Sequence, residues 1–211
     1  MIKVIKQKRT WVFKEGRLNL TFALGNRKVS QKVLIFNLPS LITCQNSSLC
    51  KKACYARKAE RLYKGVLLSR MRNYHATLQD SFIEEFCNAL KFLKEKFGIK
   101  ITRFHESGDI YSEVYFYKLI EIANRNPDML FYTHTKNISL DLSKLPQNFN
   151  IVHSILPDGS INFGIKEEVL QKSKLFGIPV CPSTLNRDKK IICMEHCKLC
   201  LQQRYVLFIK H

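Results

Sequence analysis

Seven of the eight cysteines in this 211-residue chain fall into two groups whose spacing suits inorganic chemistry. Cys44, Cys50 and Cys54 lie in ITCQNSSLCKKACYARKAE, directly after an apolar run and leading into a helical stretch. Three thiolates can hold a [4Fe-4S] cluster and leave one iron open to a substrate or cofactor. A closed zinc site there needs a fourth ligand, which His105 or another histidine could supply. Neighbouring Lys51, Lys52, Arg57, Lys58 and Arg61 lower thiolate pKa values and offset the charge of an anionic cluster. The second group, Cys181, Cys193, Cys197 and Cys200, lies in VCPSTLNRDKKIICMEHCKLC. Four sulfurs suit a tetrahedral zinc ion or a second iron-sulfur cluster, and spacing does not choose between them. Unligated thiols are the competing reading for both groups. Cys87, on the apolar side of SFIEEFCNALKFL, reads as core packing.

Four of the six histidines follow apolar strand-like runs: ITRF before His105, MLFYT before His134, NFNIV before His153 and YVLFIK before His211. A fifth run, IPV, ends at Cys181. In parallel α/β folds the carboxyl ends of strands share one edge where loops build active sites, so these residues are expected to converge. The expected pocket is lined by His105, Asp109, His134, Lys136 and His153, which can position phosphate or transfer protons. The bland alternative for each histidine is a hydrogen-bonded strand cap.

The runs that must position them are KVLIF (32–36), ITRF (101–104), MLFYT (129–133), NIV (150–152), IPV (178–180) and YVLFI (205–209). Between them, stretches such as LCKKACYARKAERLYKGVLLSRMRNYHATL, SFIEEFCNALKFLKEKF, SEVYFYKLIEIANR and KEEVLQKSKLF repeat apolar residues at helical spacing. The connections 134–149 and 181–204 lack an evident helix. Strands alternating with helices predict an α/β fold, a partial, open parallel barrel of about six strands. Residues 1–31 predict a basic extension of β-hairpins turning at Glu15-Gly16 and Gly25-Asn26, and 32–211 a single α/β metal-binding domain.

Lysine and arginine outnumber aspartate and glutamate by 35 to 17. Residues 1–79 carry 17 basic and 2 acidic side chains, so the electropositive part is the first third. Nucleic acid is the expected partner: Lys51, Lys52, Arg57, Lys58, Arg61, Arg70 and Arg72 can grip phosphates while Tyr55, Tyr63 and Tyr74 stack on bases. The competing reading is a solvated helix face. No stretch approaches membrane-spanning length and no secretory signal is read, so a cytoplasmic protein with reduced cysteines is expected.

The segments FNLPSLITCQNSSLCKKACYARKA (36–59), RFHESGDIYS (103–112) and FYTHTKN (131–137), with the terminal cysteine-rich segment, resemble the phage and plasmid gene product 88 family over about residues 33–211. That resemblance implies no reaction. A more distant one does: strand, three-cysteine loop, helix, strand and a small acidic turn is the order of radical SAM enzymes. Ser107-Gly108-Asp109 then occupies the place of the turn that contacts the methionyl amine of S-adenosyl-L-methionine (SAM). The departure is in the loop, whose spacings are five and three residues where that superfamily has three and two. A capped tight turn before a helix near Ser112 is the alternative reading of these three residues. The leading expectation is an iron-sulfur, radical SAM-like enzyme acting on or near nucleic acid, in which the cluster reduces SAM and a radical abstracts hydrogen. The rival is a noncatalytic nucleic-acid-binding protein with structural zinc. A metal-dependent nuclease using His105, Asp109 and His134 ranks last, since one carboxylate is thin support for a hydrolytic cation site.

Overall fold

The computed structural model describes residues 3–7, 10–15, 18–45, 54–186 and 189–210; at 3–7, 10–11 and 13–15 it describes the backbone only. β1 (Lys3–Gln7), β2 (Thr10–Glu15) and β3 (Leu18–Leu24) form an antiparallel meander, and β3 pairs antiparallel with β4 (Val33–Phe36). The N-terminal strands therefore extend the main sheet. All four β4 residues are apolar and buried, as a strand covered on both faces requires.

From β4 the sheet turns parallel. β5 (Ile101–Phe104), β6 (Leu130–Thr135) and β7 (Phe149–His153) follow in chain order, so the carboxyl ends of β4–β7 share one edge. The crossovers carry α1 (Tyr55–Leu62), α2 (Lys64–Thr77), α3 (Phe82–Phe97) and α4 (Glu113–Asn124). Alternation along each strand sorts side chains onto two faces. Leu34, Phe36, Phe104, Phe131, Phe149 and Ile151 pack with Phe82, Phe86, Leu90 and Leu93 of α3 and with Tyr115, Phe116 and Leu119 of α4. Phe86 meets Phe22 and Phe36 edge-on at 5.1 Å each. The opposite face presents Val33, Ile35 and Tyr132 to Met194, Cys193, Cys200 and Leu201 of the C-terminal segment.

Beyond β7 the parallel arrangement thins to isolated pairs. Tyr205 bridges His153, Leu207 bridges Val180, and β8 (Phe163–Gly164) pairs with β9 (Phe208–Ile209). Of six expected parallel strands, four form the ladder. IPV contributes only the Val180 bridge, and Pro179 within it has no N–H to donate. No closed barrel forms among the described residues; the architecture is a mixed α/β sheet with helices.

The helices follow the apolar spacing with one break. The expected helix after Cys50 splits into α1 and α2 at Tyr63, whose extended backbone (φ −128°, ψ 98°) interrupts the hydrogen-bond ladder. α3 stops at Gly98 and α5 (Lys166–Phe176) at Gly177, both at φ 64°, the left-handed stop that glycine adopts without a Cβ penalty. The 181–204 connection contains two four-residue helices, α6 (Pro182–Leu185) and α7 (Leu199–Gln202). Among the described residues no helix is long and apolar enough to cross a membrane.

Candidate functional site

The turn after β5 is a clamp. Ser107 Oγ donates to Leu38 O at 2.9 Å, and its backbone N–H donates to Asn37 Oδ1 at 2.9 Å. Gly108 lies at φ +86°, where an added Cβ would stand 2.6 Å from Leu38 Cβ and 2.7 Å from Thr43 Oγ1. Only glycine lets the turn approach the β4 loop this closely. Asp109, 1% exposed, accepts from Thr135 Oγ1 (2.6 Å), from its neighbour Ile110 N–H (2.7 Å) and from Lys136 N–H (2.9 Å). Burial pushes its carboxyl up, against the pull of these hydrogen bonds. Ser107, Gly108 and Asp109 thus tie the loops after β4, β5 and β6 together. The cap of α4 is not among their tasks: Ser112 Oγ accepts the Tyr115 N–H itself.

His105 stands at φ 62° and turns into the α3–α4 core, 3% exposed. Its Nε2 lies 2.9 Å from Tyr115 Oη and its Nδ1 3.3 Å from Thr133 Oγ1, whose hydroxyl donates to Phe104 O. A neutral ring donating from Nδ1 and accepting at Nε2 satisfies all three groups. Burial, with Arg103 nearby, lowers its pKa to about 3. His134 is on the opposite face of the sheet, against Tyr132 and Phe208, with its pKa also lowered to about 3 by burial and by Arg103 and Lys136. His153 stacks on Tyr205 at 5.5 Å beside a groove of about 450 Å³ that also includes Ile138, Leu142 and Ile155. The sheet therefore separates His134 from His105, which the left-handed turn aims the other way, and from His153, which is in phase with Phe149 and Ile151 of the α3–α4 core. His211 lies outside the described residues.

The face that carries His134 also gathers the second cysteine group from three segments. Cys193 donates a hydrogen bond to Cys181, which holds the Cys181 thiol below its ordinary range and pushes Cys193 up. Burial pushes the Cys200 thiol up to about 12, and Cys200 packs against both the Val33–Tyr132 cluster and the cluster of Val152, Cys181 and Val206. Cys193 and Cys197 are bridged through their backbones; Met194 N–H donates to Cys197 O at 2.7 Å, with Met194 at φ 66°. All four thiols are free, and among the described residues no three His, Cys, Asp or Glu side chains are spaced to hold one ion.

Arg103, not singled out by sequence, stands at the centre of this face. It lies in register between Ile35 and Tyr132, its guanidinium carbon 5.9 Å from the Tyr132 ring centroid. An arginine inside an apolar strand was the available signal.

Of the first cysteine group, Cys50 lies outside the described residues. Cys54 caps α1, its Sγ accepting Arg57 N–H at 3.5 Å. Beside it, Tyr55 Oη donates to Glu106 O, and Gln45 next to Cys44 donates to Tyr111 O at 3.1 Å. Residues flanking both ends of the cysteine loop are thus anchored on the segment that follows β5.

The basic candidates divide. Arg57, Lys58, Arg61 and Arg72 are exposed or half-buried on α1 and α2, beside exposed Tyr55 and Tyr63. Lys51 and Lys52 lie outside the described residues. Arg70 is buried, bonded to Glu60 Oε1 at 2.9 Å and Ala56 O at 3.2 Å, and is spent inside the fold; Tyr74 packs on Tyr111. Sequence reading also passed over Asn73, which bonds Thr21 N, Thr21 O and Asn37 O and so pins α2 to β3 and the β4 loop.

A family model described as Gene product 88 matches residues 11–201. This chain belongs to the gene product 88 family. The match starts at Trp11, so family membership takes in β2 and β3 as well as the parallel sheet. Similar curated proteins are the Gene 88 protein of Mycobacterium phage L5, 27% identical with 77% of this chain and 79% of that protein covered, and that of Mycobacterium phage D29, 26% identical with 75% and 77% covered. No solved structure matches the chain.

Proposed function

We propose that this gene product 88 protein is a metal–thiolate protein of the iron-sulfur type that acts on or near nucleic acid. The supporting observation is the gathering of Cys181, Cys193 and Cys200 on one sheet face, with Cys197 bridged to Cys193 through the backbone. The donor set is all sulfur, which suits zinc or iron-sulfur clusters. Among the described residues these side chains are not spaced around one centre, so loading would have to turn them toward a common point.

In the enzymatic version, Cys44, Cys50 and Cys54 would hold an open [4Fe-4S] cluster, which when bound supplies one-electron reduction of SAM. The parallel run β4–β7, continued by the Tyr205 bridge, would serve as a partial barrel. The chain's own residues would bind and orient: Arg57, Lys58, Arg61 and Arg72 on phosphates, Tyr55 and Tyr63 on bases, with neutral His134 as a proton acceptor on the cysteine-bearing face. One observation favours the noncatalytic, zinc-bearing alternative: Ser107 and Asp109 are buried and their side chains already bonded, leaving the proposed SAM-contacting turn little to offer.

Anaerobic purification with iron, sulfide and zinc analysis separates these versions. Iron and sulfide are expected, reduced by Cys197→Ala at one centre and by Cys44→Ala at the other, and zinc alone would end the iron-sulfur version. An intact, reduced cluster that forms no 5′-deoxyadenosine from SAM would remove the enzyme class. For nucleic acid, log affinity is expected to fall linearly with log salt. Neutralising Arg57, Lys58 and Arg61 together should flatten that slope on duplex DNA by about 0.9 for each phosphate left without its cation. An unchanged slope rejects this surface.

A further inference from the structure

The groove beside His153, about 450 Å³ in volume, opens at the carboxyl edge of the parallel strands, between the loop that follows β6 and the loop that follows β7. Its walls come from two separate cores. Leu140 and Leu142 pack on the α3–α4 core, whereas Leu156 and Tyr205 belong with Val169, Ile178, Leu207 and Ile209. The groove is the seam where these cores do not merge. Ligands of α/β folds settle at the carboxyl ends of strands, and pockets of about 300–1,000 Å³ hold small molecules.

Both loops are fixed by their own bonds. Asp141 Oδ1 accepts from Ser143 N–H (3.0 Å) and Oγ (2.6 Å), and Asp158 Oδ1 from Ser160 N–H (2.9 Å) and Oγ (2.7 Å). Gly159, at φ 77°, donates to Leu156 O at 2.9 Å and turns the second loop back. The groove is thus formed before any ligand arrives, which spares binding the cost of ordering it.

Asp141, His153 and Tyr205 are the polar side chains of an otherwise apolar lining, and the Asp141 carboxylate is taken by Ser143. The His153 and Tyr205 rings stack, and neither the imidazole nitrogens nor the phenol has a hydrogen bond among the described residues. A neutral imidazole offers one donor and one acceptor, and a phenol can act as either. No lysine or arginine lines the groove, so nothing there draws in a phosphate or carboxylate.

We propose that this groove binds a flat, uncharged heteroaromatic ring of the nucleobase type. The ring lays its face on the His153–Tyr205 pair and the aliphatic walls, and its polar edge meets the imidazole and phenol. It belongs to a free nucleoside or to an unstacked base of a single strand, and only the second source rests on the nucleic-acid reading proposed above.

The test is calorimetric titration of the full chain with adenosine, guanosine, cytidine and uridine, and with indole as a flat ring that donates but does not accept. At least one nucleoside should bind, more tightly than indole. Its 5′-monophosphate should bind no more tightly than the nucleoside itself. Tyr205→Leu should weaken binding by about tenfold, through lost stacking. Tyr205→Phe and His153→Leu should each weaken it by about threefold, through the polar edge. Tyr205→Phe keeps the packed ring, so the test survives a leucine variant that fails to fold. A short single strand then identifies the source: affinity lost in these variants assigns the ring to a strand, and affinity unchanged assigns it to a free nucleoside. A chain that takes nucleosides but no strand would reject the nucleic-acid reading and leave this site standing. No binding of any nucleoside up to its solubility, indole bound as tightly, or equal affinities in all four proteins would overturn the proposal.

Discussion

Between pH 6 and pH 4 the metal-free protein is expected to lose stability by about 2.7 kcal/mol per pH unit, the signature of two histidines that fold neutral and unfold charged. His105 and His134 each have a folded pKa near 3 against an ordinary value of 6.5. The unfolded chain therefore takes up two protons below pH 6.5 that the folded chain refuses until about pH 3. Stability contributed by keeping these rings neutral is fully present above 6.5 and drains as pH falls through that window. Asp109 acts with the opposite sign, since its raised folded pKa favours the native state as acid protonates it, and so offsets part of the slope. A domain with about 5–15 kcal/mol in hand would lose much or all of it before pH 4. Urea denaturation at half-unit pH steps measures the slope. His105→Gln, whose amide can still donate to Thr133 and accept from Tyr115, should halve it. A slope corresponding to less than one proton would mean that neither ring is held as described.

The second large effect is at Arg70. Its guanidinium and the Glu60 carboxylate meet at 2.9 Å with both side chains about one-tenth exposed, and Glu60 also accepts from the Ser40 N–H and Oγ. This pair fastens α1 and α2 to the loop after β4. Removing one member strands the other as a buried charge, so Arg70→Met and Glu60→Gln should each cost about 3–5 kcal/mol. The double replacement Arg70→Met with Glu60→Met should recover much of that loss, because no orphaned charge remains. Denaturant midpoints for the four proteins, with Glu60→Met as the matching single replacement, close the cycle. Single losses under about 1 kcal/mol would mean the pair is solvated, and Arg70 would return to the candidate phosphate ligands.

These two cases mark where sequence reading reached and where it stopped. Arg70 was indistinguishable from Arg61 by residue type, and both stand in one basic run. Helical phase puts Arg61 in solvent and Arg70 under α1, a difference that depends on the break at Tyr63. The histidines following apolar runs were correctly associated with strand ends, yet they do not converge, because the sheet stands between His134 and His105. A strand position says which edge a residue occupies, but the residue after the strand is free to leave by either face. Ser107-Gly108-Asp109 was visible as a tight acidic turn; its role as a three-loop clamp required knowing that the β4 and β6 loops lie beside it.

Local pattern alone determined the α/β class, four of the parallel strands, the main helices, the basic N-terminal third and the grouping of the C-terminal cysteines. Each of these depends on residues near in sequence or on the period of apolar side chains, and such information is carried by the chain before it folds. Tertiary structure decided the rest: which histidine faces which side of the sheet, that Arg70 is consumed by Glu60, and that Arg103 sits among the cysteines. Burial and charge pairing are properties of neighbours brought together from ten residues apart, as in Arg70 and Glu60, to roughly a hundred, as in Arg103 and Cys200, and no one-dimensional spacing encodes which neighbours those will be.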